Sequence, residues 1–84
     1  MYVGYQERLY PNRLRVTRQN AGLQQQQVYR MLGHSSNKVL SLWENERAMP
    51  SGSNLIKLCM LYGKSPQELY PEYWQRLEGN FRES

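Results

Sequence analysis

Eighty-four residues make one domain with little core to spare, which favours a compact helical bundle over a two-layer sandwich. Hydrophobic residues are 39% of the chain and seven of them are tyrosines, so the core is small and shared between elements. The formal charge is +4, but residues 1–43 carry six cations against Glu7 alone, a net +5, and residues 44–84 carry five cations against six glutamates, a net −1. A basic half is the footprint of polyanion binding, because neutralised phosphates release their condensed counterions; an ordinary solvated surface gives the same count. The single cysteine, Cys59, excludes an intrachain disulfide framework and a cysteine zinc site, and suits a reducing cytosol. No apolar run reaches membrane-spanning length, and the first ten residues lack a basic region followed by an apolar stretch. The expected location is cytoplasmic, with no membrane partner.

The pattern predicts an all-α chain, a compact bundle of about five short helices, with no strand-like alternation and no repeat. The first helix is expected over about residues 11–20, with Pro11 in its first turn and Leu14, Thr17 or Arg18, and Ala21 on one face. Gly22 suits the left-handed residue that closes it. The second spans about residues 24–32, with Val28 and Leu32 at i, i+4, and Gly33 closes it. The third is expected to be capped by Ser35 or Ser36 and to run through Val39, Leu40 and Trp43 to about Asn45. Pro50 disfavours helix at Met49. The fourth starts near Ser51 or Ser53, carries Leu55, Ile56, Leu58, Cys59 and Tyr62, and ends at Gly63. Ser65-Pro66-Gln67-Glu68 is a start signal for a short fifth helix, with a capping serine, a first-position proline and a third-position glutamate. Residues 72–84 are expected to add a turn or two through Tyr73, Trp74 and Leu77 and then fray. The division is an N-terminal arm over 1–9, a domain over 10–70, and a C-terminal tail over 71–84.

The stretch from Gly22 to Glu44 has the layout of two short helices joined by a tight turn, a unit that serves mainly to set its second helix in the major groove. Over residues 10–70 the chain resembles the lambda-repressor/Cro/XRE-type helix-turn-helix domains. The resemblance is carried by Leu14 and Arg18, Gly22-Leu23, Gln25, Val28, Leu32-Gly33, Ser41, Trp43-Glu44, Pro50-Ser51, Leu55, Leu58 and Leu69 in order and at matching spacing. The turn is one residue longer than the commonest form. Tyr29 replaces a small residue where the two helices cross, and must point outward or widen the crossing. Gln24 replaces the usual Ser or Thr cap, and Thr17 a larger apolar residue. Glu46 stands where a glycine commonly ends the third helix, with Asn45 expected to supply the turn geometry instead.

On this reading the third helix presents Ser36, Asn37, Lys38, Ser41 and Leu42 to base edges. Asn suits adenine, Lys suits guanine, Ser is permissive, and Leu42 suits a thymine methyl. Phosphate contacts are expected from Gln24, Gln25, Arg13, Arg15, Ser35 and His34, which position rather than specify. The rival reading of these side chains is a polar solvated face. The resemblance implies that Arg18 and Glu44 form a structural ion pair beneath the reading unit. His34 is the only histidine and the chain has no aspartate, so no catalytic set, metal set or cofactor is expected. Cys59 reads as a packed small residue.

The expected function is a sequence-specific duplex-DNA regulator and not an enzyme, with double-stranded DNA as its partner. The alternatives are an antitoxin-like regulator that also holds a protein partner, and an interaction module using the same bundle without DNA. Tyr70, Tyr73, Trp74 and Leu77 supply more apolar surface than a fraying tail requires. They point to a homodimer through the C-terminal segment, against a monomer in which they fold back on the core.

Overall fold

The computed structural model describes residues 9–83, so most of the N-terminal arm lies outside it. Six helices follow in order: α1 Leu14–Asn20, α2 Gln25–Met31, α3 Lys38–Glu44, α4 Gly52–Tyr62, α5 Pro66–Leu69 and α6 Pro71–Glu83. No strand occurs among the described residues. The first three helices have seven residues each, too short to stand alone in water, so their caps and their packing hold them.

Four helices end on the same device, in which a residue in the left-handed region turns the chain and two backbone N–H groups return to the last turn. Gly22, Gly33 and Gly63 supply that residue after α1, α2 and α4, with φ of 73°, 86° and 64°. The amides of Leu23, His34 and Lys64 donate back to the carbonyls of Arg18, Tyr29 and Cys59. After α3 the left-handed residue is Glu46, at φ 65°, while Asn45 stays right-handed at φ −87°. The expectation that Asn45 carries this turn is therefore corrected. Glu46 can hold a conformation costly to a side chain because its neighbours restrain it. Its Oε2 accepts from the Asn12 amide at 3.0 Å, and its carbonyl accepts from the Tyr10 amide at 3.2 Å.

The helix starts differ from expectation in two places. α1 begins at Leu14 rather than in a turn containing Pro11. The Asn12 side chain sets that start: Oδ1 accepts from the Leu14 amide at 2.9 Å, and Nδ2 donates to the carbonyls of Tyr10 and Trp43 at 3.0 and 2.8 Å. Pro11 is buried in the connection ahead of it. α3 begins at Lys38, two or three residues after the expected serine caps. Asn37 is its first flanking residue, and the Ser36 hydroxyl accepts from the Lys38 amide at 3.4 Å. Elsewhere Gln27 Oε1 accepts from the Gln24 amide at 2.8 Å, which ties down the start of α2 without Ser or Thr. Ser51 caps α4, and Ser65 and Glu68 exchange bonds at 3.1 and 2.9 Å around α5. The Ser65 backbone amide, and then its neighbouring hydroxyl, hold the Glu68 carboxyl below its usual range.

The core is Leu14, Val28, Leu32, Leu40, Trp43, Leu58, Leu69 and Tyr70. Tyr29 neither points wholly outward nor sits inside: it is half-buried and packs on this cluster, as does Cys59, whose thiol burial pushes up. The last segment is a full thirteen-residue helix, not a fraying turn or two. Its first turn folds back on the core, which is why it persists. Tyr70 is buried, and Tyr73 meets the rings of Tyr10 and Tyr70 edge-on at 5.6 and 6.4 Å. The Arg76 guanidinium lies 5.7 Å from the Tyr73 ring centre and donates to the Leu9 carbonyl at 3.4 Å. Of the four side chains expected at a C-terminal contact, Tyr70 and Tyr73 are therefore taken up by the fold, and Trp74 and Leu77 stay exposed.

The closing turn of α3 makes a testable contrast. Glu46→Ala keeps the left-handed strain and loses the bond to the Asn12 amide, and should cost about 1–3 kcal/mol in urea unfolding. Glu46→Gly loses the same bond but relieves the strain, and should recover about 1 kcal/mol of that loss. Equal stability of the two variants would show that the strain is absent.

Candidate nucleic-acid interface

The polar contacts between the first three helices start at one carboxylate. The Glu44 side chain, at the last position of α3, is 0% exposed, and its main partner, Arg18 on α1, is 11% exposed. Arg18 Nε donates to Oε2 at 2.6 Å and Nη2 donates to Oε1 at 3.1 Å, a two-pronged fork. The third arm, Nη1, donates to the Leu23 carbonyl at 2.9 Å in the α1–α2 turn. Burying both charges costs several kcal/mol of hydration, so the pair secures geometry more than net stability. The bond to Glu44 raises the Arg18 pKa against the opposing effect of burial. Arg15 adds a longer contact, Nε to Glu44 Oε1 at 3.7 Å, and its Nη2 donates to Asn45 Oδ1 at 2.5 Å. Beside the pair, burial and then the Glu44 charge push the Tyr62 phenol up to about 12.

The carboxylate also sets an amide on the neighbouring helix. An ionised carboxylate only accepts hydrogen bonds, so Gln25 must turn its NH₂ toward it, and Nε2 donates to Glu44 Oε1 at 3.0 Å. Gln25 Oε1 then faces α3, where it accepts from Asn37 Nδ2 at 3.1 Å and from Ser41 Oγ at 3.4 Å. The exposed Asn37 is left with Oδ1 and one Nδ2 hydrogen to offer. Orientation thus passes from the buried Arg18–Glu44 pair through Gln25 to a surface amide.

The base-edge candidates fall in one short stretch. Ser36 and Asn37 lie in the exposed turn before α3, Lys38 opens the helix, Ser41 is half-buried against Gln25, and Leu42 is 45% exposed. Ser35 shares that turn, and Gln24 is exposed just ahead of α2. Among the phosphate candidates, Gln25 belongs to the polar chain just described and Arg15 sits at the far end of α3. Arg13 is placed apart from them, in a hollow of about 620 Å³ that Thr17, Asn20, Tyr62, Lys64 and Glu68 also line. His34 is half-buried, with its ring edge-on to Trp43 at a centroid distance of 6.1 Å. Its Nε2 is buried and meets no hydrogen-bond partner among the described residues.

Residue patterns did not single out Asn12 or Arg47, nor Asn45 as a partner of Arg15. Asn12 ties the chain before α1 to both Trp43 and Glu46. The turn at Glu46 sets the Arg47 amide on the Leu42 carbonyl at 2.9 Å, which brings an exposed cation next to α3. A cation directly after a helix-closing residue was the only signal available for it. No group of three or more metal-ligating side chains, and no helix long and apolar enough to cross a membrane, occurs among the described residues. The surface offers hydrogen-bond donors, acceptors and the exposed aliphatic side chains of Val39 and Leu42.

Residues 14–69 match a helix-turn-helix family of the XRE/lambda-repressor-like type, from the first residue of α1 to the last of α5. No curated protein and no solved structure matches the chain.

The buried pair has a measurable consequence. Among the described residues Arg18→Ala leaves Glu44 with Gln25 and the distant Arg15, and should cost about 3 kcal/mol in chemical unfolding. Arg18→Met combined with Glu44→Leu removes the stranded charge and should regain much of that loss. A single Arg18→Ala variant as stable as the parent would show that the pair carries no burden.

Proposed function

Since the chain belongs to the XRE/lambda-repressor-like helix-turn-helix family, whose members are DNA-binding regulators and not typically enzymes, we propose that it is a sequence-specific transcriptional regulator reading the duplex major groove with α3. The observation that carries this reading is the polar chain from Glu44 through Gln25 to Asn37. A side-chain amide loses specificity if it can flip, and here a buried carboxylate two links away sets which end faces out. The free Oδ1 and Nδ2 hydrogen of Asn37 complement adenine N6 and N7, Lys38 donates to guanine, and Leu42 packs on a thymine methyl. Ser36 and Ser41 complete the reading face.

Around that face, Gln24, Ser35 and Arg15 meet backbone phosphates, while Arg13, lining a separate hollow, and His34, packed edge-on against Trp43, stand outside this set. Gln25 acts at both ends of its amide, since its remaining N–H hydrogen reaches a phosphate while its carbonyl holds Asn37. The basic bias of the N-terminal half supports this surface as the polyanion-facing one. The protein acts in the cytoplasm, where Cys59 stays reduced. One domain of this size reads a short site, so affinity is gained by two copies on one DNA face, with half-sites roughly 34–36 Å apart. The C-terminal segment supplies the contact, through Trp74, Leu77 and Phe81 rather than the buried tyrosines. The same exposed stripe favours, as a second reading, a protein partner held in the manner of an antitoxin.

Selection from random duplexes at two salt concentrations tests the function. A short motif should be enriched, and binding should weaken steeply with salt, with a log–log slope of about one per neutralised phosphate. No retention at low salt would reject the regulator in favour of an interaction module.

Specificity separates the two roles of Gln25. Asn37→Ala should lose discrimination at one base position by about 1–3 kcal/mol, and Lys38→Ala at another. Gln25→Ala should lose discrimination at the Asn37 position as well as affinity for every sequence. A uniform loss with the motif intact would leave Gln25 as a phosphate contact alone. An unchanged motif in both Asn37→Ala and Lys38→Ala would displace α3 as the reading element.

A further inference from the structure

Two apolar faces of this chain carry largely exposed side chains, one with Glu78 and the other with Lys57 among the lining residues. On α6, Trp74, Leu77 and Phe81 follow at i, i+3 and i+7 and line a hollow of about 320 Å³ with Glu78. Phe81 is 82% exposed. Between α2 and α4, Met31, Leu32, Met60 and Leu61 line a second hollow of about 360 Å³ with Lys57. Met60 is 77% exposed, and Ile56, one turn earlier on α4, extends the same exposed face. Seven-residue spacing on α6 makes a narrow ridge, while two helices side by side make a groove.

We propose that the α6 ridge of one copy seats in the α2–α4 groove of a second copy, head to tail. The proposal rests on the reading of α6 as the contact segment and names what that segment docks on. Charge favours this arrangement over self-pairing of either face. Ridge on ridge gathers two Glu78 carboxylates in one small interface, and groove on groove gathers two Lys57 ammonium groups. Ridge in groove sets Glu78 against Lys57. Arg82 approaches Glu78 only to 3.7 Å, with both side chains largely exposed, so that weak pair leaves the carboxylate available. Side-chain chemistry agrees: Met31 and Met60 are unbranched and adaptable, and thioether sulfur packs favourably on the rings that Trp74 and Phe81 offer.

Size sets the strength. Each ring covers roughly 150–250 Å² when buried, so a ridge of two rings and one leucine stays below the roughly 800 Å² per partner of a stable interface. Association is therefore weak and concentration-dependent. A head-to-tail contact uses different surfaces on the two partners, so each added copy leaves one ridge and one groove open and the assembly grows as a chain. On duplex DNA such copies share one orientation, which calls for direct rather than inverted half-sites.

Sedimentation velocity without DNA, from micromolar to millimolar protein, tests the contact apart from DNA recognition. Met60→Glu closes the groove and Phe81→Glu closes the ridge. Both positions are largely exposed, and thermal melts verify that the variants fold. The parent should show a sedimentation coefficient that rises with concentration beyond that of a dimer. Each variant alone should stay monomeric. Their equimolar mixture should form a one-to-one dimer and nothing larger, because it holds one intact ridge and one intact groove. A mixture that stays monomeric overturns the head-to-tail contact. Association of Met60→Glu but not Phe81→Glu also overturns it, while leaving α6 as a segment that pairs with itself. A parent monomeric throughout removes both.

Discussion

A carboxylate with no exposure to water must be satisfied by its surroundings, and the Glu44 side chain has none. Most of the polar architecture answers that demand. Arg18 reaches it from α1 with two nitrogens and uses the third on the α1–α2 turn, so one guanidinium locks three elements. Gln25 reaches it from α2 and is thereby oriented toward α3. Remove the charge and the helices can still pack by their apolar faces, but nothing then tells the exposed amides which way to point. The net stability of the pair and its hold on geometry are separate quantities, because a desolvated ion pair contributes little net stability while fixing positions tightly.

The same economy shows in the helix ends. Helices of seven residues have most of their backbone groups in their first and last turns, so capping is a large part of their existence. Four successive closures use one hydrogen-bond pattern, and the exception to glycine, Glu46, is the one whose side chain has a further partner. Through Asn12 that turn is joined to the start of α1. The end of the candidate recognition helix and the start of the first helix are thus held as a unit, with Trp43 bonded to one end of the Asn12 amide.

α6 divides its work along its length. Its first two turns close the core through Tyr73, which meets the ring of Tyr70 just ahead of the helix, and hold the chain near Leu9 through Arg76. Its later turns carry apolar side chains away from that core into solvent. A helix that is half lid and half ridge lets a chain with little core expose apolar side chains without weakening the bundle, because the packed half anchors the exposed half.

Much of this was legible in the residues. Glycines at 22, 33 and 63 marked three closures because positive φ is cheap only without a Cβ. Serine at 51 and the Ser65–Glu68 pair marked two starts, because those side chains bond the free amides of a first turn. Leu14, Val28, Leu32, Leu40, Trp43 and Leu58 stood out as core by their spacing, and the family was visible in their order. What residues alone did not fix were events between distant parts of the chain. Asn12 displaced Pro11 as the start of α1 because its partners lie thirty-one and thirty-four residues away, at Trp43 and Glu46. Glu46 rather than Asn45 took the left-handed turn because those contacts restrain it. The tail became a full helix because Tyr73 found Tyr10. Local chemistry set where the chain bends, and only the folded chain decided which polar side chains meet and so which way Asn37 faces.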